Sequence, residues 1–343
     1  MATSFERRLQ ESAPELAALL RRAEVLAEHC SMAVGGPADY YLPLSSTEDL
    51  GSVLALCHEL EQPFLVLGRG SNVVFSDAGY RGLVIQLESP RTEGACRIYS
   101  RQETAAFLDT APASALAWSR AKAGTLRLVE APAGLELGAL SSVVAAEGLE
   151  GLAFACGIPG SVGGAIYMNA GAYEGCMQDV CLLVEATDAL GHPQRTWAPD
   201  FSFAYRDSCY RHRPLYIRRA FFLLHETQDQ DQLEAHIADL QERRKRSQPL
   251  ELPSAGSVFK RPVGYFAGKL IVDAGLQGLQ IGGAQVSEKH AGFIVNRGGA
   301  TARDIVELVC HIRRVVRAFH GVELEPEIRV LEEDGSSLDW SIL

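Results

Sequence analysis

Residues 157–171 read G-I-P-G-S-V-G-G-A-I-Y-M-N-A-G, five glycines and one proline within fifteen positions of an otherwise apolar stretch. Glycine lacks a Cβ, so Gly157, Gly160, Gly163 and Gly164 allow the main chain positive φ and close approach to another molecule. Successive N–H groups in such a turn form a concave nest for phosphate oxygens. A second stretch, G-R-G-S-N at residues 68–72, follows the apolar run 64–67. Loops leaving the carboxyl end of a buried strand are where open α/β folds bind ligands. Each loop alone reads equally well as a tight turn. The pair favours an elongated, phosphate-bearing cofactor, with Gly68, Arg69, Gly70, Ser71 and Asn72 in one loop and Gly157, Ile158, Pro159, Gly160, Ser161, Gly163 and Gly164 in the other.

The elements around these loops read as α/β. From Ser46, S-T-E-D-L opens a helical pattern through Val53, Leu54 and Leu56, its acidic first turn suiting the helix dipole. Residues 64–67 and 83–87 read as strands flanking the first loop, and 182–186 and 215–224 as further strands. Residues 231–246 read as a helix with Leu233, Ile237 and Leu240 on one face, ending in R-R-K-R, a run expected to complement the dipole and face water. A new domain is expected near Glu226, including this helix. The last clear helix spans about 301–320, with Thr301 and Asp304 as a capping box and Gly321 as terminator. Residues 322–330 then read as a strand that would put Glu325, Glu327 and Arg329 on one face. Residues 88–127 read as peripheral strands and turns with no assigned chemistry.

Composition bounds the function. At 343 residues the chain is too long for one comfortable core and implies two or more domains. Its net charge of −11 argues against a nucleic-acid binder, which needs cationic contacts to phosphate. Eight cysteines lie scattered, without a C-x-x-C pair or a histidine at zinc spacing, so reduced thiols and no metal are expected. The first thirty residues are studded with charge and no uncharged apolar run reaches spanning length, which gives the expectation of a cytoplasmic protein without membrane insertion. Neither glycine loop fits G-x-G-x-x-G, because Val73 stands at the third glycine. Gly268 and Lys269 are followed by Leu270, not Ser or Thr, and H-E-x-x-H and G-x-S-x-G are absent. Rossmann nicotinamide binding, nucleotide hydrolysis, zinc proteolysis and α/β-hydrolase chemistry thereby lose their signatures.

A polar set remains in apolar surroundings: Tyr205-Arg206-Asp207-Ser208, the segment 254–262 (S-A-G-S-V-F-K-R-P), Lys289-His290, and L-E-P-E-I-R at 324–329. Taken singly these suit a surface pair, a turn serine, a satisfied imidazole and a solvated strand face. Together with V-G-G-P-A-D at 34–39, L-G-R-G-S-N at 67–72, the loop near 160 and M-N-A-G-A-Y at 168–173, they follow one another as in a known family. From about Ala33 to Val330 the chain resembles the UDP-N-acetylenolpyruvoylglucosamine reductases of bacterial cell-wall synthesis, in their second, shorter type. Ser31-Met32 departs from the Asn-Thr of many relatives.

The resemblance implies an α+β protein: a vanillyl-alcohol-oxidase-like FAD-binding region over residues 1–225, in two α/β subdomains of about 1–87 and 88–225, and a separate α/β substrate-binding domain over 226–320. Residues 321–343 would return to the flavin and active-site region. It implies noncovalent FAD, reduced by NADPH, that reduces the enolpyruvyl ether of UDP-N-acetylglucosamine enolpyruvate to a lactyl ether. Hydride addition to a double bond conjugated with a carboxylate leaves an enolate-like carbanion that needs a cation and a proton. By motif match Ser257 is the proton donor, and Arg206 and Glu327 stabilise the carboxylate. Tyr205, Lys260, Arg261 and His290 fall in substrate-contacting segments. No obligate protein partner is evident. Two other readings are a flavin oxidase of the same fold and a flavin-binding module without turnover. Many such oxidases tether flavin through histidine, which neither loop contains, and the presence of Arg206, Ser257 and Glu327 together argues against the module.

Overall fold

A computed structural model of the chain describes residues 3–89, 95–122, 124–173 and 175–342. Three sheets organise it. The first runs in the order Arg21–Val25, Pro37–Leu44, Tyr80–Leu87, Phe64–Leu67. Its last three strands are parallel, with the helix Leu50–Glu59 between Pro37–Leu44 and Phe64–Leu67 along the chain. A parallel strand is buried on both faces, and Tyr80–Leu87 shows how the side-chain period of two divides the work. Leu83, Ile85 and Leu87 enter one core with Val129, Val184 and Phe222 of the second sheet. Tyr80 and Val84 enter another with Ile294, Ile305, Leu308 and Ile312 of the C-terminal unit.

The second sheet is antiparallel, in the order Pro193–Trp197, Cys181–Asp188, Leu215–Glu226, Leu126–Pro132, Arg97–Ile98. The third joins Ser254–Ser257, Phe293–Asn296, Ala284–Val286 and Gln280–Ile281. Against it lies the helix Ala302–His320, capped by the expected Thr301/Asp304 box and ended by Gly321 in the left-handed conformation. Its residues Ile305, Leu308, Val309, Ile312 and Val316 are fully buried, as their helical spacing requires.

The strand Arg329–Leu331 pairs in parallel with Val73–Phe75, so the chain end closes onto the segment that leaves the first glycine loop. Of the expected 322–330 strand only Arg329 and Val330 are regular, continued by Leu331, because Val322–Ile328 crosses between two units and finds no continuous edge. The expected shared face is lost with it: Glu327 is buried to 11% exposure while Glu325 is 67% exposed.

Of residues 88–127, 90–94 and 123 lie outside the described residues, and the others also differ from the strand-and-turn expectation. They form the strand Arg97–Ile98 and two helices, Arg101–Leu108 and Ala113–Arg120. The first starts at a Ser100/Glu103 capping box, a local signal that outweighs the weak amphipathic pattern. The helix Gln230–Ser247 packs on the turn Ala153–Ala155 beside the second glycine loop, and its Leu240 carbonyl accepts a hydrogen bond from Tyr173 Oη at 3.0 Å. Among the described residues no helix is long and apolar enough to cross a membrane.

Candidate active site

Both glycine loops line one cavity of about 490 Å³, and Arg206, Ser257 and Glu327 line it too. The loops pack on each other. A Cβ on Gly68 would stand 2.3 Å from Ser161 Oγ, and one on Gly163 would stand 2.9 Å from Ala133 Cβ. The positive φ expected of Gly157, Gly160, Gly163 and Gly164 is not found; of the glycines in the two loops Gly70 alone adopts it. Gly163 and Gly164 lie in the helix Val162–Tyr167, so glycine is needed there for close packing and not for left-handed backbone.

The site is assembled by cross-links between units. Arg206 sits in a tight turn, at φ +58°, bracketed by the bridge between Ala204 and Asp207. Asn169 Nδ2 donates to the Ala204 carbonyl at 2.9 Å and the buried Ser208 hydroxyl to the Tyr167 carbonyl at 2.8 Å, which fastens Y-R-D-S to the end of the second glycine helix. Arg211 Nη1 donates to the Arg206 carbonyl at 2.8 Å. Burial raises the Asp207 carboxyl, but His212, the Ser208 N–H and Arg211 outweigh it and hold the group below its ordinary value.

Glu327 is pinned from two sides. Its N–H donates to the Val258 carbonyl at 2.7 Å, next to Ser257, and its carbonyl accepts from Asn72 Nδ2 at 3.2 Å. Its carboxylate accepts from Arg206 Nε at 2.7 Å. Burial pushes the carboxyl up from its ordinary value, against the pull of Arg206, Lys260 and Arg211. Ser257 ends its strand after a register shift opposite Phe293, preceded by Gly256 at φ +76°. Its side chain is exposed into the cavity, and its hydroxyl has no hydrogen-bond partner among the described residues.

Of the other expected substrate contacts, Tyr205 lies under Arg206, 5.1 Å from its ring centroid to Cζ, and Lys260 acts on the Glu327 carboxyl. Tyr205, Lys260, Arg261 and His290 do not line this cavity. Tyr205 Oη accepts from the Arg261 N–H at 3.3 Å, and Lys260 Nζ reaches Glu325 at 2.5 Å. His290 is turned inward, its ring edge-on to Phe293 and its Nδ1 accepting from Gly292, and burial pushes the imidazole below its ordinary value. Ser31 Oγ donates to the Ser254 carbonyl at 2.6 Å, so the departure at Ser31-Met32 still ties the first sheet to the strand that carries Ser257.

Six arginines, Arg69, Arg206, Arg211, Arg213, Arg244 and Arg329, line the cavity against one carboxylate, Glu327, among the described residues. A local cationic field thus overrides the acidic balance of the whole chain and suits ligands that carry several phosphates. Of these arginines the sequence singled out Arg69 and Arg206 as site residues. Arg244 could have been found, because the stripe Leu233, Ile237, Leu240 reaches 244 at its next step. The strand expected at 322–330 puts Arg329 on one face with Glu325 and Glu327, and Arg211 and Arg213 carry no comparable periodic signal.

A dinucleotide fits these residues. The backbone N–H groups of Arg69, Gly70 and Ser71 and of Gly160 and Ser161 donate to no acceptor among the described residues. Arg211 Nε and Gln248 Oε1 are buried cavity-lining atoms without a hydrogen-bond partner among the described residues. Buried polar groups left open in this way mark the place of a polar ligand. Among the described residues no group of His, Cys, Asp and Glu could hold a metal ion.

Known proteins agree with this arrangement. An FAD binding domain family matches residues 120–196, and the C-terminal domain of UDP-N-acetylenolpyruvoylglucosamine reductase matches residues 248–331. The chain is 42% identical over 310 residues to the UDP-N-acetylenolpyruvoylglucosamine reductase of Lachnoclostridium phytofermentans, covering 90% of this chain and 92% of that one. It is 37% identical over 338 residues to the enzyme of that name from Agathobacter rectalis, covering 97% and 100%. The crystal structure of the Thermus caldophilus reductase superposes with a TM-score of 0.68 at 32% identity, over 91% of this chain and 98% of that one. The fold is an α+β fold with an FAD-binding domain and an added C-terminal unit, as in the Thermus caldophilus reductase. The chain therefore belongs to the UDP-N-acetylenolpyruvoylglucosamine reductase family of FAD-dependent enzymes in peptidoglycan precursor synthesis.

Proposed function

We propose that this cavity reduces the enolpyruvyl ether of UDP-N-acetylglucosamine enolpyruvate to the lactyl ether of UDP-N-acetylmuramate, with NADPH as reductant. The observation that supports it most is the convergence of Arg206, Ser257 and Glu327, from three separate stretches of chain, on the cavity that both glycine loops line. Residues 68–72 and 157–164 would hold the FAD diphosphate and flavin through their open N–H groups. A flavin held there would supply the hydride for the terminal carbon of the enolpyruvyl double bond, with NADPH as the source of its two electrons.

The protein's share is charge and a proton. Hydride addition leaves the electron pair on the carbon attached to the ether oxygen, delocalised into the carboxylate. Arg206 donates to that carboxylate as its charge grows; one positioned donor to such an oxyanion contributes on the order of 3 kcal/mol. Glu327 fixes the guanidinium through its 2.7 Å hydrogen bond. Protonated, it donates its own O–H to the incoming carboxylate. Ser257 Oγ gives its proton to the carbanion carbon and recovers one from solvent through the cavity mouth. The free hydroxyl, held by no protein acceptor among the described residues, is available for that transfer. General acid help of this kind is worth about 10² to 10⁴ in rate. Under this reading 1–225 supplies the two glycine loops and Arg206, the returning 321–343 supplies Glu327, and 226–320 carries the serine.

The purified protein is expected to be yellow, to bleach with NADPH under anaerobic conditions, and to regain colour on adding the enolpyruvyl sugar nucleotide. Rapid recovery with oxygen alone would favour an oxidase, and indifference to both would favour a binding module.

A further inference from the structure

The helix Gln230–Ser247 brings to the cavity a guanidinium that the reaction above does not use. Arg244 is the one member of the R-R-K-R run at 243–246 that is not exposed. Its neighbours Arg243 and Arg246 pair with Asp239 and Glu242. Arg244 instead lines the cavity and has no carboxylate partner among the described residues. Burial pushes the group below its ordinary value. The expectation that this run faces water holds for three of its members and fails for the fourth.

Gly157 explains how the side chain gets there. A Cβ on Gly157 would lie 2.6 Å from Arg244 Cδ and 3.2 Å from Nε. The glycine is a gap past which the arginine stem runs, and Arg244 lines the same cavity as the open N–H groups of Gly160 and Ser161. One helical step further, Gln248 lines the cavity with a buried Oε1 that has no donor among the described residues. A cation and an acceptor from one helix end in one cavity complement a ligand with an oxyanion and an N–H.

We propose that the end of this helix is part of the FAD site: Arg244 pairs with an oxygen of the dinucleotide's diphosphate, and Gln248 Oε1 accepts an N–H from one of its heterocycles. The inference rests on FAD as the cofactor. The phosphates of NADPH or of the sugar nucleotide offer the same oxyanion, so the test separates them.

FAD dissociation from the holoenzyme is followed by the recovery of flavin fluorescence on dilution, at several potassium chloride concentrations. For Arg244→Met, which keeps the stem and loses the charge, the Kd for FAD should rise at least about tenfold, the scale of a charge-assisted hydrogen bond. Its dependence on salt should flatten, because one screened contact is gone. Arg244→Lys should lose less affinity and keep the salt slope, which guards against a variant that is merely misfolded. Gln248→Leu should raise the Kd several-fold at unchanged slope. With FAD saturating, the KM values for NADPH and sugar nucleotide should stay within about twofold for Arg244→Met. An unchanged FAD Kd, an unchanged salt slope in Arg244→Met, or a tenfold rise in either KM with FAD affinity intact would overturn the proposal. A wild-type protein that carries no stoichiometric FAD would overturn the cofactor assignment as well, and would show itself before any variant was made.

Discussion

Arg206 Nε and Glu327 Oε1 meet at 2.7 Å across 121 residues of sequence. Arg206 comes from the turn fastened to the second glycine helix, and Glu327 from the returning segment, held by Val258 on one side and Asn72 on the other. The pair therefore exists only when all three units are docked. Its position couples the integrity of the fold to the electrostatics of the site.

The raised Glu327 carboxyl predicts a pH dependence of substrate binding. The group's ordinary value is 4.5 and burial lifts it. Below 4.5 it is protonated in the folded and unfolded chain alike. As pH rises through the lifted value it ionises in the fold, placing a second negative charge beside the substrate carboxylate. The Kd for the enolpyruvyl sugar nucleotide should therefore increase as pH rises from 4.5 through that value, and Glu327→Gln should flatten the increase. The same lift makes the protonated carboxyl's contribution to stability present below pH 4.5 and lost as pH rises through the folded value. Calorimetric titrations of both proteins across this range check it; equal slopes would contradict it.

Glycine at 68 is required by packing, and glycine at 160 is not. Gly68→Ala must displace Ser161 Oγ, 2.3 Å from the new Cβ, and that oxygen caps the helix Val162–Tyr167 by accepting from Gly164. Overpacking of this kind costs about 1–3 kcal/mol. A Cβ on Gly160 meets only Ser71 Oγ, at 3.4 Å, so Gly160→Ala should change stability by less than about 0.5 kcal/mol. Urea unfolding of the two variants should separate them; equal losses would show that the loops do not interlock.

The C-terminal helix offers two graded losses. Thr301→Ala removes the capping box with Asp304 and should cost about 1 kcal/mol. Ile312→Ala empties a site in the core shared with Val84 and Tyr80 and should cost about 2–5 kcal/mol. Thermal unfolding that ranked them in the opposite order would contradict the assignment of this helix's inner face.

The sequence revealed what is local or repeated and hid what depends on distant partners. The helix Ala302–His320 was legible from its apolar spacing, its cap and Gly321, all within one element. The two glycine loops were legible as composition, but not the reason for their glycines, since the neighbours of Gly68 and Gly157 are Ser161 and Arg244. Arg244 was hidden by the charge run around it. The strand expected at 322–330 failed because its hydrogen bonds go to Val258, Lys260 and Asn72 in two different units. Lys260 and Arg261 share a motif with Ser257, yet their side chains turn to Glu325 and Phe266. The motif places a backbone and leaves side-chain direction to tertiary contacts.

The most direct test separates the two half-reactions in Ser257→Ala by anaerobic stopped flow at the flavin absorbance. Reduction by NADPH should proceed at the wild-type rate, while reoxidation by the enolpyruvyl sugar nucleotide should slow at least about a hundredfold. Equal losses in both halves, or reoxidation at the wild-type rate, would contradict a proton delivered by Ser257.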